Sequence, residues 1–273
     1  MDWRSQGQGI PSRSASRGLC RATIGGMNSA VLIALLLLPL AAAAQETPKA
    51  VAIETEAQLD EWLYRYYLHP QPEGVVPAMG YLDRSGNLRK DGYRRVVAAF
   101  LSEVFRQNRD RLEGWAKDLA GLGKQGRSVL FEALWRSGSK PGILALRALR
   151  ETADAEEKAA IDRILGSIPV PPRLMPVLIP EHLDILWATF LASGDEAMVR
   201  RVIDCLPWSD EKEGRQLIGG AARWSLASNA EKHEKVMVVC RAEVEKREGR
   251  TREILREVIA KAEERLAAKD AKR

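Results

Sequence analysis

The sequence predicts an all-α protein, and three observations support this fold class. After residue 54, apolar residues recur at three- and four-residue spacing in nearly every segment, as they do along one face of an amphipathic helix. No segment alternates convincingly between apolar and polar residues, which is the pattern of a half-buried strand. Of the 273 residues, 6% are aromatic, 45% hydrophobic and 29% charged, which is an ordinary globular composition. This composition excludes collagenous, disordered and polytopic membrane proteins.

The segment 1–44 has the organisation of a secretory signal peptide. A lead with four arginines and one acid precedes an apolar run that begins at Ala30, ends in four alanines at Ala44 and is followed by Gln45. A basic lead, an apolar core and a small-residue cleavage site are the three parts of such a signal. We therefore predict cleavage between Ala44 and Gln45, within two residues, and export to the periplasm.

The alternative to cleavage is a tether in the inner membrane through residues 30–44. This run is short and contains Pro39, whereas a helix needs about 20 apolar residues to span a bilayer. We therefore favour cleavage, with no stable membrane insertion afterwards. The sequence leaves open whether the chain starts at Met1 or at Met27, which stands just before the apolar run.

Removal of the signal changes the charge of the chain. Four of the 42 basic residues and one of the 37 acidic residues lie in it, so the formal charge falls from +5 to about +2. Acids are interleaved with bases along the remaining chain, whereas a nucleic-acid-binding face concentrates basic residues. We therefore predict no nucleic-acid partner. The remaining chain is long enough to bury a core without disulfides.

A capping box opens the first predicted helix. Thr55 and Gln58 have the spacing for reciprocal hydrogen bonds between their side chains and the backbone. His69-Pro70 ends this helix, because proline cannot continue its hydrogen-bond ladder. A short helix that contains Pro77 follows. The apolar spacing predicts further helices near residues 91–107, 110–120, 127–136, 141–150, 155–165, 181–192, 196–206, 211–227, 231–247 and 252–268.

Four predicted helix ends share a serine followed by a residue that suits the left-handed conformation after a helix: Ser85-Gly86, Ser137-Gly138, Ser193-Gly194 and Ser228-Asn229. Two alignments extend beyond these turns. At an offset of 56 residues, 130–146 matches 186–202, and at an offset of 35 residues, 191–194 matches 226–229. Such recurrence predicts a solenoid-like stack of antiparallel helix pairs, and an irregular helical bundle is the alternative.

A proline-rich connector at 167–180 divides the predicted helices into two halves. It holds five of the 13 prolines, which favour an extended backbone, and its apolar residues predict that it lies against the helices. The N-terminal half is 55–166 and the C-terminal half is 181–268. A flexible lead at 45–54 precedes them, and a tail at 269–273 follows.

The sequence contains no catalytic motif in the context that its chemistry requires. The segment 121–126 matches the dinucleotide-binding pattern of glycines, but that motif needs a preceding strand, so we interpret it as an interhelical turn. Within the predicted helices, His69, His182 and His233 have no second metal ligand at helical spacing. We therefore predict no catalytic residue, metal ion or cofactor. A carboxylate pair formed in space is the alternative, because spacing along the chain does not reveal it.

Most of the tryptophans are predicted to lie in the core. Trp62, Trp115, Trp135, Trp187 and Trp224 all fall within apolar helical periods, and burial of such large side chains is their simplest explanation. The prediction of burial is sharpest for Trp187, because it aligns with an apolar residue of the earlier helix pair at the 56-residue offset.

The tyrosine run of the first helix is the candidate recognition site. One helix face cannot bury Tyr64, Tyr66 and Tyr67 together, so at least one of them should be exposed. An exposed aromatic beside a charged side chain is typical of binding surfaces. We therefore predict a recognition patch formed by Tyr64, Arg65 and Tyr67.

The exported chain would keep two cysteines, Cys205 and Cys240. Export and an even count permit a disulfide. However, the 35-residue offset places the two cysteines at equivalent positions of successive repeats, whose helix axes lie about 8–10 Å apart. A disulfide needs Cα atoms about 4.4–6.8 Å apart. We therefore predict two free thiols.

The segment 222–230, with 66–70 upstream, resembles an uncharacterised group of exported bacterial helical proteins over residues 55–248. The chain also has a generic likeness to tetratricopeptide and HEAT repeats, although its spacing is irregular and the tetratricopeptide Trp–Leu-Gly–Tyr pattern is missing. Neither resemblance implies an activity or a cofactor. We expect an exported binding or scaffolding protein of the bacterial envelope with a protein partner and no enzymatic activity. An envelope hydrolase is the alternative.

Overall fold

The computed structural model describes residues 51–211 and 214–271. Every regular element in this part of the chain is an α-helix or a short 3-10 turn, so the all-α prediction is confirmed. None of the helices described is both long and apolar enough to cross a membrane. The predicted signal peptide, its Ala44–Gln45 cleavage site and residues 45–50 of the lead lie outside the described residues.

Twelve α-helices follow one another in the described ranges. They are α1 (Glu56–Arg65), α2 (Val75–Ser85), α3 (Asp91–Gln107), α4 (Leu112–Asp118), α5 (Lys124–Arg136), α6 (Lys140–Thr152), α7 (Ala155–Leu165), α8 (Glu181–Ser193), α9 (Glu196–Asp204), α10 (Arg215–Lys232), α11 (Glu234–Lys246) and α12 (Gly249–Asp270). The bounds of α3 and α7 agree with the sequence prediction to the residue, and most others differ by a few residues.

Local capping explains several of these bounds. The backbone N–H of Gln58 donates to Oγ1 of Thr55 over 3.3 Å, and the N–H of Thr55 donates to Oε1 of Gln58 over 3.1 Å, which completes the predicted capping box. Gly86 and Gly194 end α2 and α8 with φ of 75° and 67°. Glycine adopts these angles without the steric cost that a Cβ would bring.

The predicted helix end at Ser228-Asn229 is wrong, because α10 continues to Lys232. Ala230 is buried on the same apolar face as Leu226, so packing favours another turn of helix. Asn229 stays within the helix and donates from Nδ2 to the Ser225 carbonyl over 2.9 Å.

This extension breaks the 35-residue alignment. Cys205 directly follows the last residue of α9, whereas Cys240 lies inside α11. The two cysteines therefore do not occupy equivalent positions, and the register argument for free thiols is wrong. Both cysteines are nevertheless buried, and neither is in a disulfide within the part of the chain that the structure describes.

Two hydrophobic cores meet at α8. The first core is built mainly by α1 to α7, and Ile185, Ala188 and Ala192 of α8 join it. The second is built by α8 to α12, with Leu186 and Phe190 on the other side of α8. A helix that is apolar nearly all round is typical of a position between two packed layers.

The helix contacts are compatible with an irregular bundle. In the N-terminal half α3 packs on α5 and α4 on α6, and in the C-terminal half α10 packs on α12 and α9 on α11, as in stacked helix pairs. However, α8 packs most extensively on α3 instead of on the preceding α7. The helix that follows the connector therefore packs back onto the first half of the chain, and a single continuous solenoid is not established.

Arginine side chains hold the proline-rich connector by its backbone. Nη1 of Arg201 on α9 donates to the Arg173 carbonyl over 2.6 Å, and its Nη2 donates to the Met175 carbonyl. Met175 and Val177 are partly buried against the first and second core, respectively. This part of the connector lies against the helices as predicted.

Other apolar side chains of the connector do not pack as predicted. Leu174 and Leu178 are each 67% exposed, and Ile179 is 40% exposed. The arginine contacts are made to carbonyl groups, so they fix the backbone and not the apolar side chains. Pro172–Leu174 also forms a 3-10 turn within the connector, which was predicted to be extended throughout. Only part of the apolar set can therefore face the helices.

Two boundaries at the ends of the helical region also shift. Ile53 belongs to the predicted flexible lead, but it is buried in the first core, with Val51 packed beside it. At the other end α12 extends to Asp270, into the predicted tail. The packed region therefore begins earlier than predicted, and the helical region ends later, with the last residues of α12 exposed.

Candidate functional site

An aromatic cleft lies between α1 and α3 of the first half and α8 and α10 of the second. Its cavity volume is about 430 Å³, within the range of small-ligand sites. Five aromatic side chains from these four helices line it: Tyr64, Tyr93, Phe100, Trp187 and Trp224.

The aromatic side chains of the cleft differ in their exposure. Phe100 and Trp187 are buried and form its inner wall, whereas Trp224 stands at the rim with 66% of its surface exposed. Tyr64 is also partly exposed. Trp62 and Tyr66 pack edge to face against Phe100 and define the core-facing side of the first helix, and Tyr64 lies on a different side. The cleft thus combines a fixed apolar wall with an accessible aromatic edge.

The charged side chains that line the cleft are Asp60, Asp184 and Lys232. Nζ of Lys232 lies 5.4 Å from the ring centroid of Tyr64, which is a cation–π distance. Among the described residues, none of these three charged groups forms a salt bridge. The cleft therefore keeps two carboxylates and one ammonium group without ion-pair partners.

Burial raises the pKa of three groups in the cleft. For Tyr64 and Tyr93 burial is the largest cause, and the charge of Asp60 comes next. For Asp184, whose side chain remains exposed at the cleft, burial is again the largest cause, and the charge of Glu181 comes next. After burial, the charges that add most to these three shifts belong to carboxylates.

The predicted recognition patch does not form a single surface. Tyr64 lines the cleft, but Arg65 lies at a separate cavity and pairs with Glu61 over 3.6 Å. Tyr67 turns toward the second core, where its ring centroid lies 4.9 Å from that of Phe190. Of the three predicted residues, Tyr64 is the one that the fold brings to the cleft.

The prediction of burial is wrong for Trp224. Trp62, Trp115 and Trp187 are each 6% exposed, and Trp135 is partly buried, but Trp224 is 66% exposed. On α10 the buried side is formed by residues such as Ile218, Ala222 and Leu226.

The spacing of Leu217 to Trp224 is the signal that sequence reasoning missed. These residues are two helical turns apart and share a different side of α10 from its buried residues. Leu217 is 72% exposed, which is consistent with that placement.

A second feature that sequence reasoning missed is the burial of His233. His233 is the N-cap residue of α11 and is 5% exposed. The ring centroids of Tyr64, Tyr67 and Phe190 lie 5.7–6.1 Å from that of His233. Burial, and to a smaller extent the charge of Lys232, lowers the pKa of His233 to about 4. The neutral imidazole therefore serves as a packing group at the junction of the two halves.

The glycine-rich segment 121–126 has the geometry of an interhelical turn. Residues 121–123 lie in the turn between α4 and α5, and residues 124–126 form the first turn of α5. The backbone N–H of Gly123 donates to Oδ2 of Asp83 over 2.8 Å. A nucleotide phosphate would need such backbone donors, and a carboxylate of the chain already takes this one. In the described part of the chain no group of three His, Cys, Asp or Glu side chains is arranged to hold a metal ion.

The hydrolase alternative requires two carboxylates that act together. Asp60 and Asp184 both line the cleft, but the acid that shifts the pKa of Asp184 is Glu181 and not Asp60. In an acid–base pair the two carboxyl groups influence each other's protonation. The cleft geometry therefore gives no specific support to hydrolysis.

Comparison with protein-family models, with curated proteins and with solved structures finds no match to this chain. Fold and site together define an all-α protein with an aromatic cleft between two helical halves, lined by two carboxylates and one ammonium group.

Proposed function

We propose that this chain is an exported binding protein of the bacterial envelope, without catalytic activity of its own, and that the aromatic cleft receives part of a protein partner. Export is supported by the basic lead, the apolar core and the small-residue ending of segment 1–44. The observation that carries the binding function is the position of Trp224, a large aromatic side chain exposed at the rim of a preformed cleft.

The exposure of Trp224 favours binding over a purely structural role. An exposed indole leaves a large apolar surface in contact with water, and tryptophan is enriched among the residues that dominate binding energy at interfaces. The buried Phe100 and Trp187 behind it give the cleft a rigid wall. A rigid site loses little conformational entropy when it binds.

A protein partner is favoured by the surroundings of the cleft. The exposed Leu217 continues the apolar side of α10 beyond the cleft, and Trp224 also borders a second, smaller groove against α12. A partner segment can cover such a surface while it inserts one side chain into the cleft. A small molecule would fill the cleft and leave the remaining surface exposed.

The proposal is tested by site-specific photocrosslinking. A benzoylphenylalanine replaces Trp224 in the full chain, which is expressed in cells of its natural host and irradiated. The matched control carries the same group at Leu144, which is exposed on α6, outside the cleft. We expect a discrete protein adduct at position 224 and none at 144.

The crosslinking experiment can also contradict the proposal. Adducts of equal yield at positions 224 and 144 would contradict a binding role for the cleft. So would the absence of an adduct both at position 224 and in a variant that carries the group at Leu217 and keeps Trp224. A second variant with Ser228→Phe narrows the cleft from α10 and should reduce the yield of the adduct at position 224.

A further inference from the structure

We infer that the cleft selects a positively charged group, an ammonium or guanidinium on an apolar stem. This inference rests on the proposed binding function and specifies its chemistry. The group is carried by a basic side chain of the protein partner. A free organic amine presents the same cation, and the experiment below distinguishes it as a contrary outcome.

The acidic side chains that line the cleft outnumber the basic ones. Asp60 and Asp184 contribute two negative charges, and Lys232 contributes one positive charge. The side chains that line the cleft thus leave one negative charge uncompensated. A bound monovalent cation neutralises it, whereas an anion or a second carboxylate would add to the repulsion.

The carboxylates of the cleft differ from a buried acid of the same chain in their partners. Glu243 is buried and is bonded by Arg200 and Arg247, so its charge is satisfied internally. Among the described residues the carboxylates of Asp60 and Asp184 form neither a salt bridge nor a side-chain hydrogen bond. These two acids are exposed to solvent at the cleft, so their acceptor positions are accessible to a ligand without displacement of a group of the chain.

The aromatic rings that line the cleft also favour a cation. The faces of tryptophan and tyrosine rings attract cations, and Trp224 and Tyr93 line the same cavity as the two carboxylates. Lys232 already places its ammonium group 5.4 Å from the Tyr64 ring centroid. A contact between a cation and an aromatic ring is therefore already present at one edge of the cleft. A cationic ligand would make the same kind of contact with Trp224 or Tyr93.

The inference is tested by titration calorimetry of the full chain with phenethylammonium and two analogues of similar shape, neutral 2-phenylethanol and anionic phenylpropanoate. We expect the ammonium compound to bind at least about tenfold more tightly than either analogue. A tripeptide Leu-Arg-Leu with blocked ends and its citrulline counterpart distinguish the two sources. Preference for the arginine peptide over phenethylammonium indicates a partner side chain, and the reverse indicates a free amine.

Variants assign the selectivity to the carboxylates. Asp60→Asn and Asp184→Asn should each weaken binding of the cation about tenfold and leave the weak binding of 2-phenylethanol unchanged. Asp118→Asn is the control, because Asp118 is exposed at the end of α4, outside the cleft. It should have no effect on either ligand. Two independent carboxylate variants keep the test valid if one of them folds poorly.

Three outcomes would overturn the inference. The neutral analogue binds as tightly as the cation, neither carboxylate variant changes cation binding, or no cationic probe binds at all. None of these outcomes decides the proposed function, which depends on the adduct at position 224. A cleft that crosslinks a partner but shows no preference for cations would retain its binding role and lose only this specificity.

Discussion

Oη of Tyr67 lies 3.3 Å from Nδ1 of His233, although 166 positions of the chain separate the two residues. Tyr67 follows α1 in the first half, and His233 directly precedes α11 in the second. The contact is therefore a polar link between the halves, set among aromatic rings. Nε2 of His233 is buried and has no hydrogen-bond partner in the described part of the chain.

This environment predicts loss of stability in mild acid. The folded state lowers the pKa of His233 from 6.5 to about 4, because burial disfavours the imidazolium. The neutral side chain therefore contributes its full stability above about pH 6.5, and this contribution is lost as the pH falls toward about 4. Between about pH 7.5 and about pH 5 the loss should be about 2 kcal/mol in the free energy of unfolding.

Urea denaturation at these two pH values measures the effect. His233→Phe should remove most of the difference, and His69→Gln, which changes an exposed histidine, should retain it. The same pH dependence in the His233 variant would assign the acid sensitivity to other groups.

Two tryptophans provide a matched test of packing. Trp187 is 6% exposed and packs edge to face against Phe190, with ring centroids 6.1 Å apart. Trp187→Ala should therefore cost about 3–5 kcal/mol of unfolding free energy, because it empties a large aromatic site. Trp224→Ala should change this free energy by less than about 1 kcal/mol, since the side chain is 66% exposed. Equal losses in denaturant melts would place Trp224 in the core.

Two adjacent glycines of α10 should respond in opposite directions to alanine. A Cβ at Gly219 would overlap the backbone nitrogen of Ser209, in the 3-10 turn that packs on α10. A Cβ at Gly220 meets nothing within 4 Å. Gly219→Ala should destabilise the fold by about 1–3 kcal/mol or more, and Gly220→Ala should stabilise it by about 0.5–1 kcal/mol. Thermal melts that change alike for both variants would refute the close packing of α10 on this turn.

Both cysteines should be free and slow to react in the folded, exported protein. Burial raises the pKa of Cys205 to about 11 and that of Cys240 to about 12, so little thiolate forms near neutral pH. Iodoacetamide should add no label to the folded protein within minutes and two labels after unfolding without reductant. Mass spectrometry counts the labels, and an unlabelled unfolded protein would reveal a disulfide.

The exported protein should begin near Gln45. The alanines before it supply the small residues that signal cleavage requires. Terminal sequencing of the protein from the envelope fraction tests this, with Ala44→Phe as a variant that should retain the uncleaved form. An intact N-terminus on membrane-bound wild-type protein would instead support a tether through residues 30–44.

The local sequence determined the fold class and the first and last residues of most helices. The capping box of Thr55 and Gln58, the glycine that ends α2 and the apolar spacing of α3 all act within a few residues of the chain. Helical hydrogen bonds link residues four apart, so such signals suffice to begin and end a helix. The error at Ser228-Asn229 shows where they fail, because burial of Ala230 favours a further turn of α10.

The cleft was decided by tertiary structure. Trp187 and Trp224 lie in similar apolar periods, yet one is buried and the other is exposed at the rim. The packing of α8 on α3 brings Asp184 to the same cavity as Asp60, and no local pattern contains that pairing. Periodicity shows which positions of a helix are apolar, but long-range packing determines which of them are buried. A binding cleft forms where packing leaves such a surface uncovered.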